Sequence, residues 1–596
     1  MANNRELSQF ASFVSVDDTS DSISFASTIT SVNVSGASTI GNVVIGAATT
    51  DIVVTGDLNV TGVISATQFG GEAVINTDRI IQVGGGTSIT RAANLQAELD
   101  KLGKKTIGPG VAVTIQLAAG EYFFTSPLKL RGEGTGITIL GFSTSGTKPG
   151  DTGNHYYNQA GVPNGVNPAT VGAGRSLCET LYDSTSPAGA YPNPMADGQL
   201  DTAAAKSYNE GIIETYYTSR LKFFNCSGIL AAPNGSSYSL KNLAIIGAGQ
   251  TSLNTRNGVR TNEDNIVLTN VDTDGDGTPD EVEVLSSSRQ QTGGKVILEN
   301  VDVFNFYHGV VALDGGSIIS RGGGLNITCN TVVGAYSIRG SYIPLSGCKV
   351  LSNGRWGVVA SQQSIANPAA ALIANNEYGL GCHYNSFMYA RGVNVTNHQK
   401  SGIRANYGSN LLADRGWIDD SASSNVYSVY NATINVSKTR IANGGSYGIY
   451  AQYGGCIVGS GLTITQNTST GARVQDGGII RVSDVGITTN GSYGALVQRE
   501  GYIYIFGEGT SIYDNNNSTA GDGVAPTEAQ ILALGSGRIS LANWNSVSGN
   551  RHSNAAALSP NLDTMGNGNA LILDTGNTDF TGIGDTTYPR AVEAGT

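Results

Sequence analysis

The sharpest chemical signal in the sequence is an acidic run from Asp272 to Glu283. Carboxylates stand at positions 1, 3, 5, 9 and 12 of this twelve-residue segment, and Gly277 is at position 6. That spacing wraps hard oxygen ligands around one Ca²⁺. We therefore predict a structural calcium site, with a solvated acidic turn as the alternative. The predicted ligands are the side chains of Asp272, Asp274, Asp276, Asp280 and Glu283 and the backbone carbonyl of Thr278.

The segments that flank this loop read as strands. Asn265–Leu268 and Val282–Leu285 are rich in Val, Ile and Leu, so the loop does not sit between two EF-hand helices. It resembles the calcium loops of thrombospondin type 3 repeats, which implies a structural role for the ion. Pro279 departs from EF-hand-like pairing because proline has no backbone N–H to donate.

A second candidate site consists of aromatic and basic residues spaced 23 apart. They alternate with small or apolar positions, so we expect them to face outward and to bind glycans: Arg404, Tyr427, Tyr450 and Arg473. A separate tyrosine column has the same period: Tyr384, Tyr407, Tyr430 and Tyr453. We interpret that column as a structural ladder at a corner, with a sugar-stacking platform as the alternative.

Catalytic carboxylates are harder to find. Glycoside hydrolysis needs two carboxyl groups on one face, about 5 to 9.5 Å apart. Asp419 and Asp420 are neighbours on a predicted strand and point to opposite faces, and Asp414 lies 23 residues from Arg391, which predicts an ion pair. Asp476 and Asp484 have no evident partner. We therefore assign no catalytic residue.

These residues are positioned by a repeat of 23. The glycines of the repeat are Gly334, Gly357, Gly379, Gly402, Gly448, Gly471 and Gly494. The missing member falls at Asn425, a residue type that can also adopt a positive φ. Two apolar columns share the period: Leu380, Ile403, Val426, Ile449, Ala472 and Ala495, then Val395, Ile418, Ile441, Ile464 and Ile487. A period of this size predicts an all-β, right-handed parallel β-helix with about 23 residues per coil.

Composition supports that fold and narrows the function. The 596 residues include 81 Gly and only 13% charged residues, whereas an average chain has about 7% Gly and about 25% charge. This excludes coiled coils and argues against simple disorder. The net charge of −12 makes nucleic acid an unfavourable partner. With no long apolar run, no signal-peptide pattern and six scattered cysteines, we expect no membrane insertion, folding in a reducing cytoplasm and buried thiols.

We divide the chain into four segments. Residues 1–85 form a β-rich attachment and oligomerisation segment. Residues 86–240 start the β-helix and include a short helix, Thr90–Leu102, capped by Thr90, and a long insertion rich in Tyr and Pro. Residues 241–545 are the parallel β-helix with the calcium loop, and residues 546–596 form a C-terminal cap or tail.

Two parts of the sequence resemble known families. The order of helix, strand, Ala119-Gly-Glu-Tyr122, strand and Ile139-Leu-Gly141 resembles the start of a pectate-lyase-like β-helix, as found in phage tailspikes. The opening Met1–Asp18 and the later Gly56–Phe69 resemble virion proteins of tailed phages that infect marine cyanobacteria. The resemblance implies a homotrimer that attaches to the particle through its N-terminus.

The sequence thus favours a tail fibre or tailspike, assembled in the host cytoplasm and carried in the virion. Its expected partners are two further copies, phage tail or baseplate proteins, and a host surface polysaccharide. Two alternatives stay open: a tailspike depolymerase, either a glycoside hydrolase or a lyase, and a purely structural baseplate or capsid appendage.

Overall fold

The computed structural model describes residues 73–130, 135–142, 217–224, 226–231, 237–248, 256–261, 293–507, 509–513 and 515, and the short segments 14–17, 22–25, 266–271, 280–285, 531–534, 536–542, 562–565 and 571–574. The chain divides into two compact units, residues 1–66 and 67–596. In the first unit, the strands Val14–Asp17 and Ser22–Phe25 pair antiparallel.

The second unit begins with one helix, Ser88–Leu102, between the paired parallel strands Ala73–Ile75 and Lys105–Ile107. The side chain of Thr87 accepts a hydrogen bond from the backbone N–H of Thr90, so Thr87 is the N-cap and the predicted start at Thr90 is wrong. The apolar face buries Ala92, Leu95, Leu99 and Leu102.

The rest of this unit is a parallel β-solenoid of about twelve turns, as predicted. Each regular coil contributes three short strands, one to each of three faces that we name A, B and C in chain order. Face A is a separate sheet of fourteen strands. Its strands are Leu128–Leu130, Ile229–Ala231, Asn257–Thr261, His308–Ala312, Val333–Ile338, Trp356–Ser361, Tyr378–His383, Ile403–Ala405, Val426–Val429, Ile449–Gln452, Ala472–Gln475, Ala495–Gln498, Ile531–Leu534 and Leu562–Met565.

Faces B and C are joined in one sheet of 27 strands, because the long strands Ser237–Ala248 and Lys295–Phe304 run through both. The other strands of face B are Arg79–Val83, Val113–Leu117, Thr135–Leu140, Ser317–Arg321, Tyr342–Pro344, Ile365–Asn367, Phe387–Tyr389, Asn410–Leu412, Thr433–Asn435, Cys456–Ser460, Ile479–Ser483, Tyr502–Phe506, Arg538–Ala542 and Leu571–Asp574. Those of face C are Gly120–Phe124, Ser219–Phe224, Asn326–Thr328, Lys349–Leu351, Leu372–Ala374, Asn394–Thr396, Trp417–Asp419, Arg440–Ala442, Thr463–Thr465, Gly486–Thr488 and Ser511–Tyr513.

The predicted inward columns form the core. On face A, Leu380 pairs with Ile403, Ile403 with Val426, and the column continues to Ala495 with every member fully buried. On face C, the column from Val395 to Ile487 is in register in the same way. The period of 23 is thus confirmed as the length of one coil, while the right-handed winding and the trimer stay predictions.

The repeated glycines serve a purpose that the sequence analysis missed. None of the seven has a positive φ, and neither does Asn425. A Cβ atom at Gly448 would lie 2.8 Å from Nδ2 of Asn467, and one at Gly471 would lie 2.8 Å from Nδ2 of Asn490. The six glycines from Gly334 to Gly471 each leave room for a buried side chain 19 residues later, because real Cβ atoms do not approach other atoms so closely.

Those buried side chains form an asparagine ladder inside the solenoid. Asn353 Oδ1 accepts hydrogen bonds from the backbone N–H and the side-chain amide of Asn330, at 3.1 and 2.9 Å, and Asn376 does the same for Asn353. The pattern recurs from Asn467 through Asn490 to Asn515. Because each buried amide is paired with the next coil, the ladder satisfies polar groups that would otherwise be costly to bury.

At Asn425, the asparagine of the ladder and the glycine that makes room for it have exchanged places. Asn425 stands in the glycine column, and the ladder position 19 residues later is Gly444. The Asn425 side chain accepts from the backbone N–H of Ser421 and donates to Ala442 O and Asn467 Oδ1. A Cβ atom at Gly444 would lie 3.1 Å from Asn425 Nδ2. The asparagine thus reaches the ladder from the opposite position, and the break in the glycine repeat has a packing cause.

The five described cysteines are free thiols. Four of them are buried, Cys226, Cys329, Cys348 and Cys382, and burial raises the pKa of Cys382 to about 12.

The strands Ile266–Val271 and Asp280–Leu285 form an antiparallel hairpin outside the two large sheets. Among the described residues, no helix is long and apolar enough to cross a membrane.

Candidate functional site

The four predicted glycan-binding residues stand one above another on the outward side of face A. Arg404 pairs with Tyr427 across the sheet, Tyr427 with Tyr450, and Tyr450 with Arg473. The rings of Tyr427 and Tyr450 are stacked, with centroids 5.0 Å apart and planes 13° apart. The Arg404 guanidinium lies 5.4 Å from the Tyr427 ring centroid, and that of Arg473 lies 5.4 Å from Tyr450. The structure thus joins all four into one column, which we call the face-A stack.

Hydrogen bonds to glutamine side chains hold the stack in place. The Tyr427 hydroxyl donates to Gln452 Oε1 at 3.0 Å, and the Tyr450 hydroxyl donates to Gln475 Oε1 at 3.3 Å. Arg473 donates from Nη2 to the side chains of Gln475 and Gln498. Because parallel strands repeat the same side-chain direction in every coil, each tyrosine meets a glutamine from the following coil. The stack is therefore pre-organised before any ligand arrives.

The stack is half-buried, with aromatic and cationic surface left open to solvent. Burial raises the pKa of Tyr427, and the Arg404 charge opposes that rise. Burial also raises the pKa of Tyr450, helped by the neighbouring Tyr427 and by Asp476. Both phenols therefore stay neutral at physiological pH. They offer hydrogen bonds and ring surface to a bound molecule, and they carry no charge.

The second tyrosine column lies at the corner between faces A and B. Tyr384, Tyr407, Tyr430 and Tyr453 have ring centroids 4.8, 5.0 and 5.4 Å apart, with planes within 8° of parallel. Each has a positive φ, between 48° and 54°. The predicted ladder at a corner is confirmed, and we call it the corner ladder.

The sequence analysis missed how exposed this ladder is. Its four rings are between 41% and 52% exposed, more than the rings of the face-A stack. One signal was available, since each tyrosine precedes an Asn or a Gly and such pairs mark a tight turn. Neighbouring rings cover each other's faces, so the inner members present only edges and hydroxyls to solvent. Tyr427 and Tyr430 belong to one coil, as do Tyr450 and Tyr453, so the two columns run side by side.

A polar cluster closes the C-terminal end of the face-A stack. Asp476 Oδ2 accepts from Gln452 and Gln475, each at 2.9 Å, and Asp476 Oδ1 lies 3.0 Å from Arg499 Nε. The expectation that Asp476 has no partner is therefore wrong. That carboxylate is held in place by three side chains, which makes it a positioning group for the glutamines that orient the stack.

Three of the other acidic residues considered as catalytic candidates contact neighbouring groups. Asp414 lies 3.5 Å from Arg391 Nε, which confirms the predicted ion pair. Asp419 is buried and accepts a hydrogen bond from the Trp417 indole at 2.6 Å, whereas Asp420 follows the strand with a positive φ. Asp484 also has a partner, the backbone N–H of Gly509 at 3.2 Å, against expectation.

The predicted calcium loop lies only partly within the described residues. Asp272, Asp274, Asp276 and Thr278 fall outside them, and Asp280 and Glu283 lie on the second strand of the hairpin. Val271 pairs with Asp280, so the eight residues 272–279 connect two antiparallel strands, in agreement with the strand-like flanks of the prediction. Among the described parts of the chain, no group of three His, Cys, Asp or Glu residues could hold a metal ion. The calcium site stays a prediction.

Comparisons with known proteins assign this chain to no family. No protein-family model and no curated protein sequence matches the chain. Among solved structures, tailspike protein 2 of Escherichia coli O157:H7 bacteriophage CAB120 aligns with 10% identity and a TM-score of 0.26 over 60% of this chain. The A-module of the Azotobacter vinelandii mannuronan C-5 epimerase AlgE6 aligns with 12% identity and a TM-score of 0.27, covering 83% of this chain and 99% of the module.

These alignments transfer no function to this chain. Both TM-scores are low, and the chain spans 38% of the length of the tailspike. The β-solenoid itself is established independently by the strand pairing of the three faces.

Proposed function

We propose that this chain is a tail fibre or tailspike of a tailed phage that attaches to the virion through its N-terminal segment and recognises glycans on the host surface. The proposal of glycan recognition rests on the outward surface of face A. There the face-A stack and the corner ladder place six tyrosine rings and two arginines side by side. The proposal of attachment to the virion is supported by the resemblance of residues 1–85 to phage virion proteins.

Rings and guanidinium groups are suited to glycans because a sugar offers both C–H faces and hydroxyls. An aromatic face packs against the apolar face of a sugar ring, and fixed Tyr, Gln and Arg groups can pair with the hydroxyls. Each such contact is weak. Repetition over successive coils, and over several copies in an oligomer, would convert weak contacts into firm attachment through high local concentration.

Calcium binding by Asp272, Asp274, Asp276, Thr278, Asp280 and Glu283 belongs to the same proposal as a structural element. The loop joins two strands of a hairpin, and five carboxylates close in sequence repel one another without a cation. The ion would hold the hairpin together and take no part in glycan recognition.

The test is incubation of the purified full-length protein, with calcium, with a panel of extracted bacterial surface polysaccharides, followed by size separation. Polysaccharide that stays intact and co-elutes with the protein supports recognition. Shortened polysaccharide would make the chain a depolymerase, and intact polysaccharide that ignores the protein would leave a purely structural virion part.

Variants assign any binding to the proposed surface. Tyr427→Ala and Tyr450→Ala should each weaken binding about tenfold, since an aromatic contact contributes up to about 1.5 kcal/mol. Tyr504→Ala is the matched control, because Tyr504 is also half-buried and stacked on a ring, 4.9 Å from Phe506, but lies on face B. An equal loss of polysaccharide binding in all three variants would show that face A is not the specific binding surface.

A further inference from the structure

Within the described residues, Arg404 has no acidic partner, unlike several other arginines of this solenoid. Arg391 and Arg415 share Asp414, Arg499 pairs with Asp476, and Arg339 pairs with Asp314. Within the part of the chain that the structure describes, Arg404 makes neither an ion pair nor a hydrogen bond, and its Nε is buried without a partner. A half-buried guanidinium with unused donors is costly unless an anion completes it.

Other cations surround this position. Arg355 and Arg404 both act electrostatically on His383, and no acidic group contributes there. Lys400 lies 5.3 Å from the ring centroid of Tyr378, and its charge is balanced by an ion pair with Glu377 at 2.5 Å. In a chain with a net charge of −12, Arg355 and Arg404 thus place two positive charges near each other at the N-terminal end of the face-A stack, without an ion pair among the described residues. Such a local field attracts anions to this spot.

Aromatic rings pack beside Arg404 on its N-terminal side. Gly381 occupies the place directly before Arg404 in the column, and a Cβ atom there would lie 2.6 Å from both Trp356 Cζ3 and His383 Nε2, so these two rings pack over the glycine. Trp356 and Tyr378 stack there with centroids 4.3 Å apart, and Trp356 meets the His383 ring edge-on at 4.9 Å. Asn406 Oδ1 holds His383 Nδ1 at 2.6 Å, which fixes the orientation of the imidazole. The Tyr378 ring centroid lies 5.9 Å from the Arg404 guanidinium, so flat rings adjoin the guanidinium on this side as well.

We propose that Arg404, with Arg355, binds the anionic group of an acidic glycan, either a carboxylate or a sulfate. This inference rests on the proposed glycan recognition and adds its substrate class. The guanidinium would donate two hydrogen bonds to two oxygens of the anion, and the adjacent Tyr427 ring would contact the sugar that carries it.

The experiment compares defined polymers that differ only in charge. The full-length protein is titrated by calorimetry with polygalacturonate, with the same polymer after complete methyl esterification, with dextran sulfate and with dextran. The bacterial polysaccharides that bind in the panel above are tested before and after chemical reduction of their carboxyl groups, and before and after desulfation. Loss of binding on carboxyl reduction identifies a carboxylate, and loss on desulfation identifies a sulfate.

Two variants test the residue assignment. Arg404→Gln should weaken binding of the acidic polymer by about tenfold or more, as expected when a charge-assisted hydrogen bond is lost. Arg481→Gln is the matched control, because Arg481 also lies over two rings, 5.6 Å from both Tyr504 and Phe506, but on face B. Its binding should be unchanged. Thermal unfolding of both variants shows whether a loss of binding reflects a loss of fold.

The outcomes separate this inference from the function on which it rests. If a polysaccharide binds equally with and without its charged groups, and Arg404→Gln binds as well as wild type, the anion site is overturned and glycan recognition stands. If neither the defined polymers nor any panel polysaccharide binds, both proposals fail. Binding that requires the charge but survives Arg404→Gln would overturn the assignment to this residue.

Discussion

The inner asparagine ladder and the outer face-A stack are two columns of the same solenoid, yet they follow different rules. In the ladder, the residue at one position dictates the residue 19 positions away, because the space for an amide exists only where the facing residue is glycine. In the stack, Arg, Tyr and Gly occupy equivalent positions of successive coils, with the solvent on one side. A packed interior couples its residues closely, whereas an outward column is open on one side and can vary with function.

The largest effect should come from breaking the exchange at Asn425 and Gly444. Asn425→Gly leaves a cavity and the buried Ser421 N–H without its acceptor, which should cost about 2 to 4 kcal/mol. Gly444→Asn forces a second side chain into space that Asn425 already fills. The double variant restores the arrangement of the other coils and should unfold within about 1 kcal/mol of wild type. Denaturant unfolding of all three measures this coupling, and additive losses would contradict it.

The pH dependence of the free energy of unfolding provides a second test of the asparagine ladder, with an effect of similar size. His398 replaces asparagine in the ladder, is fully enclosed, and has its pKa lowered to about 4 by burial, against 6.5 for a free histidine. The unfolded chain therefore binds a proton between pH 6.5 and 4 that the folded chain does not. The stabilisation is complete above pH 6.5 and is lost as the pH falls towards 4, by up to about 3 kcal/mol.

His398→Asn isolates this contribution. Asparagine is the usual ladder residue and Gly379 already provides the space, so the variant should fold at pH 7 and lose less stability between pH 6.5 and 4 than wild type. Some acid sensitivity should persist, because the pKa values of His308 and His383 are also lowered to about 4 by burial. Unfolding curves collected across this range that are parallel for the two proteins would show that His398 does not carry the effect.

The hairpin outside the large sheets offers a third, smaller effect. Chelation of calcium should lower the thermal midpoint, since an ion that binds only the folded form at a hundred times its Kd contributes about 2.7 kcal/mol. Asp274→Asn with Asp276→Asn should remove the response to chelator, and Asp100→Asn on the helix serves as a control. A thermal midpoint that is the same with and without chelator would contradict the calcium proposal.

The smallest effect belongs to the corner ladder. Tyr407→Asn removes one ring from the exposed stack but supplies a residue that tolerates the positive φ of 50° at that corner. Loss of stacking and relief of backbone strain oppose each other, so the change in unfolding free energy should stay within about 1 kcal/mol. A loss of several kcal/mol would mean that the corner behaves like the interior, against the contrast drawn above.

Much of this architecture could be read from the sequence. The period of 23 fixed which residues share a column, so the inward Ile, Val and Ala series and the outward order of Arg404, Tyr427, Tyr450 and Arg473 were predictable. The pairing of Asp414 with Arg391 followed from the same arithmetic. The start of the helix at Thr87 was missed because Thr87 and Thr90 are equally good caps by residue type, and the position of the turn decides between them.

The sequence by itself determined the stacked parallel fold, because a repeat that preserves its apolar positions can bury them only against copies of itself. Only the tertiary structure decided what each repeated residue does. It showed that the glycines make room for asparagines, that Asp476 is held by three side chains, and that the corner tyrosines are open to solvent. These facts depend on how tightly each corner turns and on contacts between residues 19 to 25 apart, which a repeat length does not specify.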